Sequence, residues 1–515
     1  MRSRLAITLA LFPSLILTGC GQAPGSQSYE VANSAAAQSG ERYDGHPVSP
    51  IHQVASDPVS TFAVDVDTGA YANVRRMLLA GQTVPADAVR TEEMINYFRY
   101  DYPLPDDRAA PFSVTTDVAT TPWNPGTRLL RIGLRGYDVA RSQRPPANLV
   151  FMVDVSGSMQ DQDKLPLVKQ ALSTLADGLR PDDSISIITY AGWVETLVEG
   201  SHDKAEIKAA LSGLDAGGAT AGGPALSMAY DLARAHRVPG GINRIIMATD
   251  GDFNVGLSDQ QSLEEMVRQN REDGITLTTL GFGQGNYNDA MMEAVADLGN
   301  GNHAYIDSAM EARKVLDEEL SSTLFTIAKD VKVQVEFNPA AVSQYRLIGY
   351  ENRALTEEDF ADDRVDAGEI GAGHQVTALY EIVPLGEAGW TGQRKYAANR
   401  PAAATGDAGE IATDIATVRL RYKLPEGDNS RLIEQSIPAA LLATAILPQG
   451  DMAFAVAVAA FGQKLRGDTK LGGFTFGDIE RLAGRQSGYW RQEFIQLASL
   501  ADTGGHSAWG RSTGE

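Results

Sequence analysis

The chain has 515 residues, which at roughly 150 residues per domain suggests three or four units. Apolar residues make up 43% and charged residues 21%, a globular composition that excludes a disordered chain. Lys plus Arg (44) less Asp plus Glu (66) leaves −22, the wrong sign for a protein that binds nucleic acid by neutralising phosphates. The single cysteine, Cys20, rules out an intramolecular disulfide, a Cys-type zinc site and a buried thiol nucleophile; the seven scattered histidines contain no His-Glu-x-x-His.

Residues 1–20 read MRSRLAITLALFPSLILTGC. Arg2 and Arg4 precede an apolar run from Leu5 to Leu17, too short for a spanning helix of about 20 residues and in keeping with a secretory signal over 1–19. Leu17-Thr18-Gly19-Cys20 resembles a bacterial lipobox, which implies cleavage that makes Cys20 the new N-terminus, carrying acyl chains. Several acyl chains hold a protein on a membrane where one does not. Gly21 stands where an Asp commonly marks inner-membrane retention, so the implied location is the cell envelope, lipid-anchored at the outer membrane. Residues 20–58 are rich in Ser, Gly, Ala and Pro without hydrophobic periodicity and read as a flexible tether.

An N-terminal helical segment is expected over 59–112. A strand at Ser60–Val66 leads into a helix near 69–80 and a second, begun by Pro85, through Met94, Ile95 and Phe98. Asp67 or Thr68 reads as a helix N-cap rather than a metal ligand. Residues 113–145 carry two strands of a flanking β-domain, FSVTTDVAT and RLLRIGLRGYDV, with PWNPG as the turn between them.

From 146 to 327 strands and helices alternate. Apolar strands at Asn148–Val153, Ser184–Tyr190, Arg244–Thr249, Ile275–Phe282 and His303–Ile306 are interleaved with amphipathic stretches near 165–179, 203–212, 223–236, 259–271 and 288–298. Leu316, Leu320, Leu324 and Ile327 form a closing helical stripe. The pattern predicts an α/β fold with a doubly wound, mainly parallel sheet. Residues 328–425 return to period-2 alternation, as in VKVQVEF and HQVTALYEIVPL, and predict an antiparallel, sandwich-like β-domain. Strands on both sides of the α/β unit predict that it is inserted into one β-domain. Residues 426–515 read as a C-terminal helical segment, with Ala453–Leu465 packing against a face of Phe494, Leu497, Ala498 and Ala501. The apolar stretch 437–461 is interrupted by Pro448-Gln449-Gly450-Asp451, which makes it core rather than membrane span.

The first α/β strand ends in Asp154-Val155-Ser156-Gly157-Ser158. Oxygens at i, i+2 and i+4 project to one side where a strand runs into a loop, a set that suits a hard divalent cation. Thr220 lies in the loop Gly217-Gly218-Ala219-Thr220-Ala221-Gly222-Gly223, and Asp250 ends the strand of Thr249-Asp250-Gly251. Loops leaving the carboxyl ends of such strands converge on one crevice.

Taken in this order, Asp-x-Ser-x-Ser, a threonine in a glycine loop and Thr-Asp-Gly resemble a von Willebrand factor A domain. The resemblance implies a metal-ion-dependent adhesion site on Asp154, Ser156, Ser158, Thr220 and Asp250, holding Mg²⁺ (or Mn²⁺ or Ca²⁺). The hydroxyls would bind directly or nearly so, and the aspartates largely through water. Asp161 and Asp163 resemble a second, adjacent cation site, but read first as solvated acids at the start of the 165–179 helix. VDVDTGAYANVRRML and RTEEMINYFRYDYP, with the helical tail, resemble the YfbK-like bacterial lipoproteins.

The function these features suggest is binding. A cation held by a few protein oxygens keeps open positions and pairs with an outside carboxylate, so a partner protein presenting an exposed Asp or Glu is expected. No enzyme is expected: a P-loop lysine is absent, and these motifs hold no general base. The alternatives are a structural or assembly scaffold with no ion-dependent ligand, and a metal-dependent hydrolase.

Overall fold

A computed structural model of the chain describes residues 40–64, 67–106, 109–219, 222–251, 260–271, 273–319, 325–391, 413–425, 427 and 429–509. Two antiparallel sheets face each other. One runs His52–Gln53, Val342–Ile348, Gln375–Pro384, Arg128–Gly136, Phe112–Thr120 in spatial order. The other runs Ala354–Leu355, Val59–Ala63, Thr326–Phe337, Asp414–Lys423, Ser430–Pro438, and Ile370–Gly371 also pairs with Thr326–Phe337. Strand alternation sorts the side chains. Leu130, Ile132 and Leu134 meet Val333, Val335, Phe337, Val418 and Leu420 between the sheets, whereas Leu129 and Leu379 lie beneath a layer of helices.

That layer contains Gly69–Leu79, Thr91–Asn96, Gly450–Leu465, Phe476–Ala483 and Tyr489–Trp509. Gly450–Leu465 is buried from Met452 through Gln463, and Phe494 closes on Phe454 and Phe461 with ring centroids 5.4 Å away in each case. A Cβ on Gly133 would stand 2.3 Å from the Tyr102 ring, so this ring covers the strand only because residue 133 has no side chain. Among the described residues no helix is long and apolar enough to cross a membrane.

The α/β unit is an insertion, as the strand pattern predicts. The chain leaves the first sheet at Gly136 and enters the second at Thr326. Arg128–Gly136 and Gln375–Pro384, from either side of the unit, are direct neighbours, with Leu130 opposite Tyr380. The unit's own sheet runs His303–Ile306, Thr276–Phe282, Ile242–Thr249, Ala147–Asp154, Ser184–Tyr190, Val194–Ser201. The first five strands are parallel and the last antiparallel. Helices Leu165–Asp177, Lys204–Ser212 and Ala309–Arg313 cover one face; Gly222–Ala235, Gln260–Arg271 and Asp289–Leu298 cover the other.

Several expectations need correction. Residues 40–58, expected as tether, are packed: Gly40 N–H donates to Gly285 O at 2.7 Å and Arg42 N–H to Tyr287 O at 2.9 Å. His52–Gln53 pairs with Gln344 and Tyr345 as an edge strand. Pro85 opens only the short turn Ala86–Ala88, and the following helix begins at Thr91. Residues 430–438, expected as part of a helical segment, form a strand against Asp414–Lys423; as an edge strand with mostly exposed or half-buried residues it has no strong apolar alternation to read. Val194–Ser201 escaped notice for the same reason, since only Val198 of it is buried. Ile327 belongs to the strand Thr326–Phe337, not to a helical stripe; Leu320 and Leu324 lie outside the described residues. Asp67 does not cap a helix. It accepts from His303 N–H at 2.6 Å and from Arg353 at 3.0 Å, and Thr68, at the N-cap position, makes no capping hydrogen bond.

What holds the insertion on its frame is buried charge. Arg75, on Gly69–Leu79, uses all five guanidinium donors: Nε and Nη2 on Asp307, Nη2 on Glu311 (2.8 Å), Nη1 on the Tyr97 hydroxyl (2.9 Å) and on Glu493 (3.1 Å). Asp307 and Glu311 belong to the α/β unit, Tyr97 to the N-terminal segment and Glu493 to the last helix. Burial pushes the Asp307 and Glu493 carboxyls up, against the pull of Arg75.

Removing one partner of such a pair leaves an uncompensated buried charge, at a cost of about 3–5 kcal/mol. Arg75→Met is therefore expected to lower the unfolding free energy by that order. Arg268→Ala, which breaks an exposed pair with Glu265, should cost at most about 0.5 kcal/mol. Denaturant unfolding of the two variants measures the contrast, and equal losses would refute the role given to Arg75.

Candidate metal centre

Read in space, the strands of the α/β unit reverse direction of travel between Ala147–Asp154 and Ile242–Thr249, the switch point at which open α/β sheets form their crevice. Asp154 and Asp250 stand at the carboxyl ends of these two neighbours, both fully buried. Asp154 Oδ1 accepts from Ser156 N–H at 2.9 Å and Oδ2 from the Thr249 hydroxyl at 2.9 Å. The Ser156 and Ser158 hydroxyls lie 3.1 Å apart; Ser156 is buried and Ser158 exposed. Thr220 lies outside the described residues, as does Cys20. The loop that carries Thr220 is nonetheless pinned to the serine loop, with Gly157 N–H on Gly218 O at 3.0 Å and Gly217 N–H on Val155 O at 2.7 Å. Asp161 is exposed and Asp163 half-buried, as solvated acids ahead of the helix would be.

Two buried carboxylates on adjacent strand ends, with paired serine hydroxyls at the rim, suit a hard dication. Burial, reinforced by the charge of Asp250, pushes the Asp154 carboxyl up to about 6 against the lowering bonds from Ser156 and Thr249. The native state therefore holds a proton on Asp154 more tightly than an unfolded chain does. That stabilisation is complete below the ordinary value of 3.8 and is lost as pH rises through about 6.

Lys164 is the residue that motif reading missed. Its buried ammonium donates to Asp250 Oδ2 at 3.0 Å and to Asn286 Oδ1 at 3.1 Å, while Asn286 Nδ2 donates to the same Asp250 oxygen at 3.1 Å. Its alkyl chain passes over Gly283, where a Cβ would stand 2.3 Å from Lys164 Cγ. The pairing spans 86 positions, beyond any local spacing rule. The available signal was a lysine directly before a helix N-terminus, where the helix dipole disfavours a cation.

A second acidic group, Asp67, Glu93 and Glu293, brings oxygens within 4.8 Å of one another. Those oxygens are engaged by protein donors: Ala70 N–H and Arg90 on Glu93, Asn352 and Arg353 on Glu293, and His303 N–H and Arg353 on Asp67. Arg90 also binds Asp289. The group is a buried ion-pair junction between frame and insertion.

Three family models match this chain: one described as von Willebrand factor, over 37–131; one as von Willebrand factor type A domain, over 148–319; and one as uncharacterized protein YfbK, C-terminal, over 322–503. The uncharacterized protein YfbK of Escherichia coli (strain K12) is 44% identical over 474 residues, 90% of this chain and 81% of that protein. The chain belongs to the YfbK family. Inter-alpha-trypsin inhibitor heavy chain H3 of Homo sapiens is 27% identical over 295 residues, 53% of this chain and 32% of that protein. A solved von Willebrand factor type A protein from Catenulispora acidiphila is 17% identical, with a TM-score of 0.40 over 75% of this chain and 88% of that one. The fold is that of a von Willebrand factor A domain set in two antiparallel sheets.

In this YfbK-family chain Lys164 balances Asp250, so it opposes a dication at the same carboxylate. Lys164→Met is expected to lower thermal stability without added cation, since an uncompensated buried charge is left at about 3–5 kcal/mol. The same change should tighten Mg²⁺ binding by on the order of tenfold, about 1.4 kcal/mol. Thermal unfolding across a Mg²⁺ titration reads both effects. Weaker Mg²⁺ binding in the variant would show instead that Lys164 is needed to hold Asp250 in place.

Proposed function

We propose that this protein is an envelope lipoprotein, anchored at the outer membrane through acylated Cys20, whose α/β unit recognises a partner protein through a divalent cation. Asp154, Ser156, Ser158, Thr220 and Asp250 would hold Mg²⁺, with Mn²⁺ or Ca²⁺ as substitutes. The observation that carries this reading is the pair of serine hydroxyls at the rim of two fully buried acids at the sheet's switch point. A bound dication would supply an open coordination position for an Asp or Glu of the partner.

The chain's own residues support binding rather than turnover. Asp154 is fastened on both oxygens, by Ser156 N–H and the Thr249 hydroxyl. The nearby amine of Lys164 is held by Asp250 and Asn286, which leaves it poorly placed to act as a base. The net charge of −22 repels an acidic partner at long range, but screening beyond roughly 8–10 Å at physiological salt removes most of that penalty.

Mg²⁺ or Mn²⁺ is expected to raise the melting temperature of the wild type, by the equivalent of about 2.7 kcal/mol at a hundredfold Kd. The gain should be larger at pH 7.5 than at pH 5, because the cation must displace the proton that Asp154 holds up to about pH 6. Thr220→Ala should reduce the cation-induced shift, and Ser201→Ala, on a hydroxyl that serves Glu206 and Asp203 N–H, should leave it unchanged. Equal shifts in both variants would refute the site. A cation-dependent pull-down from envelope extract, lost in Asp154→Ala and in EDTA, tests the recognition role; a partner retained by Asp154→Ala would favour a scaffold.

Cys20→Ser is expected to move the protein from the membrane to the soluble envelope fraction, or to leave it unprocessed. Recovery of a processed, acylated Cys20→Ser protein would overturn the anchor.

A further inference from the structure

Before it enters the sandwich, the chain attaches in turn to both parts of the molecule. Residues 40–43 lie on the α/β unit. Gly40 N–H donates to Gly285 O at 2.7 Å, Arg42 N–H to Tyr287 O at 2.9 Å, and Asp289 N–H returns to Arg42 O at 3.0 Å. Glu41 is the fastener, with a side chain only 5% exposed. Its Oε1 accepts from Gly285 N–H at 2.9 Å, and its Oε2 from Arg76 at 3.0 Å and from the Tyr43 hydroxyl at 2.7 Å. Burial works to raise this carboxyl, yet those bonds and the charge of Arg76 hold it below its ordinary value, so it is ionised at neutral pH. Residues 46–53 lie on the frame. Arg466 donates to His46 O at 2.6 Å, Ser49 N–H and Oγ donate to Glu351 Oε1 at 3.0 and 3.1 Å, and His52–Gln53 is an edge strand.

The first attachment sits on a loop, residues 283–288, whose other side belongs to the candidate metal centre. Asn286 donates to Asp250 Oδ2 and accepts from Lys164, and Lys164 donates to that same Asp250 oxygen. A Cβ on Gly251 would stand 2.4 Å from Asn288 N, so the strand end that carries Asp250 lies directly on the loop backbone. One layer of chain therefore separates Glu41 from Asp250: Gly285 holds the first, and its neighbour Asn286 the second. The two attachments use different partners, so residues 40–43 can leave the α/β unit while 46–53 stay on the frame. In sequence the first attachment follows residues 20–39, and a pull on the chain from the Cys20 side acts on it first.

We propose, resting on the reading of Asp154, Ser156, Ser158, Thr220 and Asp250 as a cation site, that residues 40–43 are a releasable strap that restrains cation binding there. Docked, the strap fixes the loop so that Asn286 and Lys164 both donate to Asp250 Oδ2, and the ammonium opposes a dication. Undocked, the loop loses Glu41 and three backbone hydrogen bonds, both donors slacken, and the carboxylate takes a dication more readily. Linkage makes the effect reciprocal: a cation that displaces Lys164 from Asp250 loosens the strap by the same factor.

The test uses the full chain, with Mg²⁺ affinity read by calorimetry and strap docking by amide hydrogen exchange. Without cation, Glu41→Ala should speed exchange across 40–43 and 284–289 and leave 46–53 protected. It should tighten Mg²⁺ binding about fivefold, the lower end of the usual coupling between two sites. In an Asn286→Ala background the same substitution should add little, because both remove one connection. Saturating Mg²⁺ should lower the protection of wild-type 40–43 and 284–289, again about fivefold. Should Glu41→Ala fold poorly, Tyr43→Phe makes the comparison instead, since it removes only the hydroxyl that bonds Glu41 and Asn73. The strap is overturned if Glu41→Ala leaves Mg²⁺ affinity unchanged or weakens it, if its effect is the same with and without Asn286, or if Mg²⁺ leaves the protection of 40–43 unchanged. A wild type that binds no cation overturns the cation site, and the strap's role with it. That outcome is told apart because Glu41→Ala then still speeds exchange at 284–289.

Discussion

Five hydrogen bonds from one guanidinium tie this molecule together. Arg75 sits among an acid pair from the α/β unit, a tyrosine of the N-terminal segment and a glutamate of the last helix, and no donor is left over. Arg90 and Arg353 make further buried ion pairs across the joint, with Asp289, Glu293, Asp297 and Asp67. Arg346 does the same between sandwich and C-terminal helices, reaching Glu381, Asp468 and Gln463. Buried ion pairs are weak evidence for stability, since desolvation offsets most of the attraction. Their geometric demand is strong, because a misdocked insertion would strand several charges at once.

That joint explains how a von Willebrand factor A domain is carried within a β-sandwich. The sandwich is completed by strands from either side of the insertion, so the insertion's two ends must leave and re-enter through a fixed gap. Ala72 and Tyr43 of the frame pack into the insertion's apolar core. Orientation then falls to charge, for which angle and distance matter more than they do for apolar area.

The docked segment of residues 40–43, with Arg42 bridged to Asn288, adds a link to the candidate metal centre. Glu41 accepts from Gly285 N–H at 2.9 Å and from Arg76 at 3.0 Å, and the next residue in that loop is Asn286, which bonds both Asp250 and Lys164. The segment that would leave a lipid anchor is thus joined through one loop to the side chains that hold Asp250.

Apolar patterning was enough to read the α/β alternation, the antiparallel strands and the buried helix 450–465, because fully buried elements appear as continuous apolar runs and half-buried ones as a period of 2 or 3.6. Asp154, Ser156 and Ser158 were legible because they lie within a few residues of one another at a strand end, and Asp250 because it ends a strand in Thr249-Asp250-Gly251. Edge strands such as 194–201 and 430–438 were not, since each buries a single residue and so leaves no period to detect. Lys164 on Asp250, Arg75 on Glu493 and Glu41 on Gly285 bring together residues separated by tens to hundreds of positions. Long-range pairing of polar groups carries no local periodic signature, so only the folded chain decides which charge meets which.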